Sequence, residues 1–299
     1  MAAEPGDLRP RPRKRSAGAG GPRYPGWLAL PAVAWYALFF LAPLGILALF
    51  SVSERVGFSE VAYNLNLENF GDLVDPIYVS IFLRTIELAA VGTLVTLLIG
   101  FPLAYYIARW ARYKTLLLLL IIVPFWTSML IRTYAWLIML DPGFATFDVL
   151  RWLHLAGENP EVLYTSKAVY IGVVYTYLPL MVLPIYAALE RMDWSLVEAA
   201  QDLGDGPLTS FRRITLPLAG PGIVAGSLLV FIPVLGEYLN PVILGGDKTT
   251  YVGNLIGQQF LDSRDWPFGS AMAMVVIAVM TVVVLLYVRL LSRSQRHAG

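Results

Sequence analysis

The 299-residue chain has no cysteine and only two histidines, His154 and His297. Lack of cysteine excludes disulfides, thiol catalysis and thiolate metal sites. Neither histidine has a ligand cluster around it in the sequence, so no metal and no cofactor are expected, and both read as solvated loop or tail residues. Charge is scarce too, at 14% against 57% hydrophobic residues and a mean hydropathy of +0.64. Soluble domains carry nearer a quarter charged residues. No G-x-x-x-x-G-K-[ST] phosphate loop occurs, so the chain is not itself an ATPase of that type. No nucleophile–base pair stands out, and the expected class is a membrane protein without catalytic residues.

Long apolar runs, by contrast, are plentiful. Six are long enough to cross a bilayer as helices: Trp27–Val52, Ile77–Arg109, Thr115–Leu140, Lys167–Leu189, Leu218–Leu244 and Phe268–Leu291. Helices are required because lipid satisfies no open backbone group. The first run is too long, and too poor in small-residue cleavage sites, for a removable signal. Residues 1–26, with RPRPRKR at Arg9–Arg15, read as a disordered basic tail. Such a tail before a membrane helix anchors the positive side and is not expected to bind nucleic acid. Residues 27–291 then form the transmembrane domain, with a short tail at 292–299.

Charge placement sets the expected orientation. Threading six helices puts Arg9, Arg11, Arg13, Lys14, Arg15, Arg23, Arg109, Arg112, Lys114, Arg191, Arg212, Arg213, Arg289, Arg293 and Arg296 on one face. Both termini are therefore expected in the cytoplasm. The opposite loops carry twelve acids against five bases. An acidic mouth attracts cations; equally, outer loops are acidic wherever bases are kept inside.

The polar stretch Glu198–Pro217, EAAQDLGDGPLTSFRRITLP, lies on the same face as the bases. Ser195 and Glu198 fit a capping box. Ala199 and Ala200 favour helix with a smooth surface. Gly204 suits a left-handed C-terminal cap, and Pro207 suits the first position of a second helix. The expectation is helix, glycine turn, helix, exposed to water.

The spacing Glu198-Ala199-Ala200, Gly204, Ile214, Leu216-Pro217 resembles the cytoplasmic coupling loop (here 190–217) of the membrane subunits of ABC importers. VPFWTSMLIRTYAW (Val123–Trp136), YLPLMVLPIYAALERMD (Tyr177–Asp193), LPLAGPGIVAGSLLVFIPVLGEYLNPVILGG (Leu216–Gly246) and WPFGSA (Trp266–Ala271) are similar to the first membrane subunit of the spermidine/putrescine importers. That resemblance implies an all-α, six-helix type I (MetI-like) permease fold. It also implies a homologous second permease subunit, an ABC ATPase dimer, an extracytoplasmic substrate-binding protein, and polyamines as cargo. Relatives carrying another organic cation, an iron complex or a phosphonate share much of the pattern. A proton-coupled secondary transporter using Glu237 or Glu87 is a rival of another class. It lacks the internal duplication such folds often show.

Charges within spans are costly and mark function. Glu237, bracketed by Pro233, Gly236 and Pro241, stands about 28 Å along the fifth run at ~1.5 Å per residue. It is a candidate for cargo, or for an internal pair with Arg132 or Arg84. Glu87 stands three residues after Arg84, the spacing of an ion pair, with contact to cargo as its other reading, and Arg132 is expected in a structural or gating role. Trp126, Tyr134 and Tyr177, with Tyr238 beside Glu237, are candidates to hold a cation over their faces or to anchor at the interface. Pro124, Pro179, Pro184 and Pro233 are expected to kink their helices.

Overall fold

The computed structural model describes residues 30–57, 60–152, 161–246 and 249–296. Both histidines and the 1–26 tail lie outside these. The chain divides into two compact units, Met1–Ile46 and Leu47–Gly299. The described part of the first unit is helical, and its helix, α1, runs on to Ser51 with a π-turn at Ala37–Leu41.

The second unit holds all the remaining elements. A two-stranded antiparallel hairpin, β1 (Glu54–Gly57) and β2 (Glu60–Ala62), is followed by the short helix α2 (Glu68–Asp72). Next comes α3 (Pro76–Arg109), where the Asp75 carboxylate accepts from the Ile77 N–H at 2.8 Å and Pro76 opens the first turn. After it run α4 (Lys114–Trp126), α5 (Met129–Met139), α6 (Ala145–Trp152) and α7 (Ser166–Glu190). The 190–217 loop contains α8 (Ser195–Asp202) and leads into α9 (Pro207–Leu235), a continuous helix with a π-turn at Phe211–Thr215. A second π-turn at Pro241–Gly245, α10 (Val252–Leu261) and α11 (Trp266–Arg296) complete the chain.

Five helices are long and apolar enough to cross a membrane, and α4 with α5 makes a sixth if that bent pair is one span. The third run, expected over Thr115–Leu140 with a kink at Pro124, is therefore not one continuous helix. It breaks by 96° between Trp126 and Met129. Pro124 tightens the end of α4 into a 3-10 turn, and Thr127 is extended with ψ at 156°. The Thr127 hydroxyl and N–H both return to the Pro124 carbonyl, so that oxygen is satisfied without continuing the helix. Pro179 and Pro184, in contrast, sit inside uninterrupted α7. The fifth run also ends early, at Leu235, and the last helix continues past Leu291 to Arg296.

α3, α7 and α9 pack together as the core, burying Leu88, Val173, Met181, Ile185, Val230 and Val234. Small residues permit that approach: a Cβ on Gly222 of α9 would meet the Pro184 carbonyl oxygen of α7 at 2.6 Å. Membrane helices pack closely by such seams because lipid offers no hydrophobic drive between them.

Candidate functional site

The helix–glycine–helix loop forms as expected. Gly204 has φ +99°, the left-handed conformation a helix stop needs. Gly206 caps α9 and Pro207 takes its first turn. Glu198 and Ala199 are exposed, as are Gly204, Leu216 and Pro217, whereas Ala200 and Ile214 are half-buried. Leu196, Leu203 and Leu208 also stand exposed on this loop, with Leu203 at 90%.

The expected Ser195–Glu198 capping box does not form. Trp194 occupies the cap position in helical conformation, and Asp193 takes over by accepting from the Ser195 N–H at 3.0 Å. The Ser195 hydroxyl and N–H together hold the Asp193 carboxyl below its usual range, so this cap survives until the pH falls through that lowered value. Glu198 instead meets Arg109, at the end of α3, at 3.3 Å, while the same guanidinium lies 4.6 Å over the Trp194 ring. Lys114 pairs with Glu190 at 2.9 Å. The loop is thus tied to the ends of α3 and α4 by exposed ion pairs, each worth about 0–1 kcal/mol.

Glu237 is buried, 4% exposed, in the break between α9 and the Pro241–Gly245 turn. One carboxylate oxygen accepts from the Tyr177 hydroxyl at 2.5 Å. The other accepts from the N–H groups of Leu239 and Asn240 at 3.1 and 3.2 Å. The carboxylate closes off backbone donors that the helix break would leave open. Among the described residues it forms no ion pair with Arg132 or Arg84. Beside it, Asn240 is fully buried and its side-chain oxygen accepts from the Thr133 hydroxyl at 3.3 Å, which ties α5 to the same turn.

Residues 97–297 match the family described as binding-protein-dependent transport system inner membrane component. The chain is 40% identical over 258 residues to the spermidine/putrescine transport system permease protein PotB of Escherichia coli (strain K12), covering 86% of this chain and 94% of that one. It is 37% identical to the protein of the same name from Haemophilus influenzae, covering 86% and 90%. The chain belongs to this permease family. It is 32% identical to the inner membrane ABC transporter permease protein YdcU of Escherichia coli, over 74% of this chain and 75% of that one. In fold it matches a chain of a bacterial ABC transporter involved in import of the acidic polysaccharide alginate, with a TM-score of 0.69, 18% identity, and 90% and 96% coverage. The permease is thus a multi-pass membrane protein of the MetI-like fold, and its relatives are transport permeases.

Three candidate aromatics of the permease are not brought together. Trp126 is 75% and Tyr134 53% exposed on either side of the α4–α5 break, while Tyr177 is buried against Glu237. Tyr238 is 37% exposed and packs over Gly257 of α10. Arg132 is half-buried with its guanidinium 5.3 Å over the Phe125 ring, and its Nε lacks a hydrogen-bond partner among the described residues.

Arg84 and Glu87 do share a site, but not as an ion pair. Both line a cavity of about 200 Å³ between α3, the start of α7 and residues 249–251. Arginine preceding glutamate is the less favourable order for a helical pair. Sequence reasoning had no means of finding the opposite wall of this cavity, Ser166, Tyr170 and Thr249–Tyr251, because it comes from segments more than 75 residues away. It also missed Arg109, whose one signal is a base in the last turn of a span.

Proposed function

We propose that the chain is the membrane-spanning subunit of an ATP-driven importer of polyamines, spermidine or putrescine. The observation that carries this reading is the 40% identity to PotB over nearly the full length of both chains. In this reading Glu198–Pro217 is the coupling loop and docks on one subunit of a separate ABC ATPase dimer. The exposed Glu198, Ala199 and Leu203 give a short amphipathic surface for that contact. Closure of the ATPase dimer pushes the loop, and continuous α9 carries the movement into the core. The loop end therefore faces the cytoplasm, with both termini, in keeping with the fifteen bases on that face. A second, homologous permease subunit completes the path, and a binding protein delivers cargo at the acidic end.

Within this frame Tyr238, Trp126 and Tyr134 are candidate path residues, whereas Glu237 and Tyr177 hold the path wall together. The test is uptake of labelled spermidine in cells lacking this gene and other polyamine importers, with and without its restoration. Restored uptake that excess putrescine competes supports the reading. Restored membrane protein without spermidine uptake rejects polyamine cargo and moves the search to the other cations, iron complexes or phosphonates.

A further inference from the structure

The sequence offers Glu237 ahead of Glu87 as the carboxylate to meet a cationic cargo, yet the oxygens of Glu237 are already taken by three internal donors. Glu87 is different. It is exposed, lines the 200 Å³ cavity, and forms no hydrogen bond or ion pair among the described residues. Twenty-two residues of α3 separate it from Arg109, roughly 33 Å at ~1.5 Å per residue. The cavity therefore lies at the end of the molecule away from the 190–217 loop.

The opposing wall is built rather than incidental. The Val252 N–H donates to the Thr85 hydroxyl of α3 at 2.9 Å, which pins the segment after the second π-turn against the Glu87 helix. Asn254 fastens the same segment from the other side. Its side-chain oxygen accepts from the Tyr251 N–H at 2.7 Å, and its side-chain nitrogen donates to the Thr249 carbonyl at 3.3 Å. The result is a wall that carries the hydroxyl residues Ser166, Tyr170, Thr250 and Tyr251 across the cavity from a carboxylate. Thr249 is 8% exposed, and its hydroxyl is packed against Gly245 rather than open to the cavity.

We propose that this cavity receives one primary ammonium end of a linear polyamine, with Glu87 as the charged acceptor and the hydroxyls as neutral ones. An ammonium has three donors and no acceptor, which matches one carboxylate ringed by hydroxyl oxygens. Sites of drug-sized ligands run to about 300–1,000 Å³, so a cavity of 200 Å³ suits one end of a chain molecule and leaves the rest in the open path. Arg84, one turn before Glu87, opposes the ammonium and weakens the hold. A transport site needs that weakness, because cargo must leave as well as enter. The proposal rests on the polyamine reading above.

The test uses the whole importer, reconstituted in liposomes with its partner subunits and binding protein, and labelled spermidine. Glu87→Gln is expected to lower the uptake rate about tenfold or more, the loss of a charge-assisted hydrogen bond, while binding-protein-stimulated ATP hydrolysis is retained. Tyr170→Phe, which keeps the ring, is expected to lower uptake about threefold. Arg84→Gln with Glu87→Gln separates cargo contact from mere neutralisation. Continued impairment of the double variant supports the site; recovery to wild-type uptake overturns it, because Glu87 would then only balance Arg84. Wild-type uptake by Glu87→Gln alone also overturns it. Absence of spermidine uptake by the wild-type assembly rejects the polyamine reading itself, and this inference with it.

Discussion

Glu198→Arg is expected to abolish uptake while the protein remains in the membrane at its normal level. Glu198 is exposed on α8, and among the described residues its carboxylate pairs only with Arg109, at 3.3 Å, with the side chain 62% exposed. Losing such a pair takes away about 0–1 kcal/mol, too little to unfold the protein. Reversing the charge does more at a docking surface. It sets two guanidinium groups side by side, and it places a long cationic side chain next to Ala199, where the surface is otherwise smooth. Like charges across or beside an interface cost several kcal/mol, enough to lower ATPase docking by about a hundredfold or more. Membrane level by immunoblot, co-purification of the ATPase and spermidine uptake are measured together. Loss of uptake with loss of co-purification fits a docking helix. Normal uptake by Glu198→Arg would remove the loop from the coupling role. Arg109→Ala provides the internal control, since it removes the intrachain pair without touching the docking face and is expected to leave uptake within about twofold.

Glu237→Ala should instead act on the fold. It strips the acceptor from the Tyr177 hydroxyl and from the Leu239 and Asn240 N–H groups, all in a site 4% exposed. Each donor left buried and unpaired costs about 1–3 kcal/mol. The expected result is a clear fall in the thermal stability of the purified assembly and a low level of protein in the membrane. Tyr177→Phe removes one of the three donors and should fall between wild type and Glu237→Ala. Glu237→Gln keeps an acceptor oxygen for the two N–H groups and should retain most of the stability. Its uptake then discriminates: retained uptake fits a structural carboxylate. Retained stability with lost uptake would return Glu237 to direct contact with cargo.

The sequence was most legible where local chemistry decides the outcome. Gly204 and Pro207 have one comfortable place each, a left-handed stop and a first helical turn, and both are found there. The apolar runs announced helices because no other structure satisfies backbone groups in lipid. Legibility failed where distant partners compete. The Ser195–Glu198 capping box was locally sound, but Arg109 from α3 attracts Glu198 and Asp193 is nearer to the Ser195 N–H. Glu237 was recognised as unusual from its burial in an apolar run; that it faces a tyrosine sixty residues earlier and its own backbone could not be read from periodicity. The α4–α5 break was half visible. Pro124 marked it, yet Pro179 and Pro184 carry the same mark within a continuous helix. The difference lies in Thr127, whose hydroxyl satisfies the carbonyl that the break exposes.

The central claim, that this permease moves polyamines on a partner's ATP, is tested most directly by spermidine uptake into liposomes holding the complete assembly, with the loaded binding protein on one side and ATP on the other. Uptake that requires both, and that Glu198→Arg removes, is the predicted result. Spermidine uptake that proceeds without ATP, driven by a proton gradient alone, would contradict it.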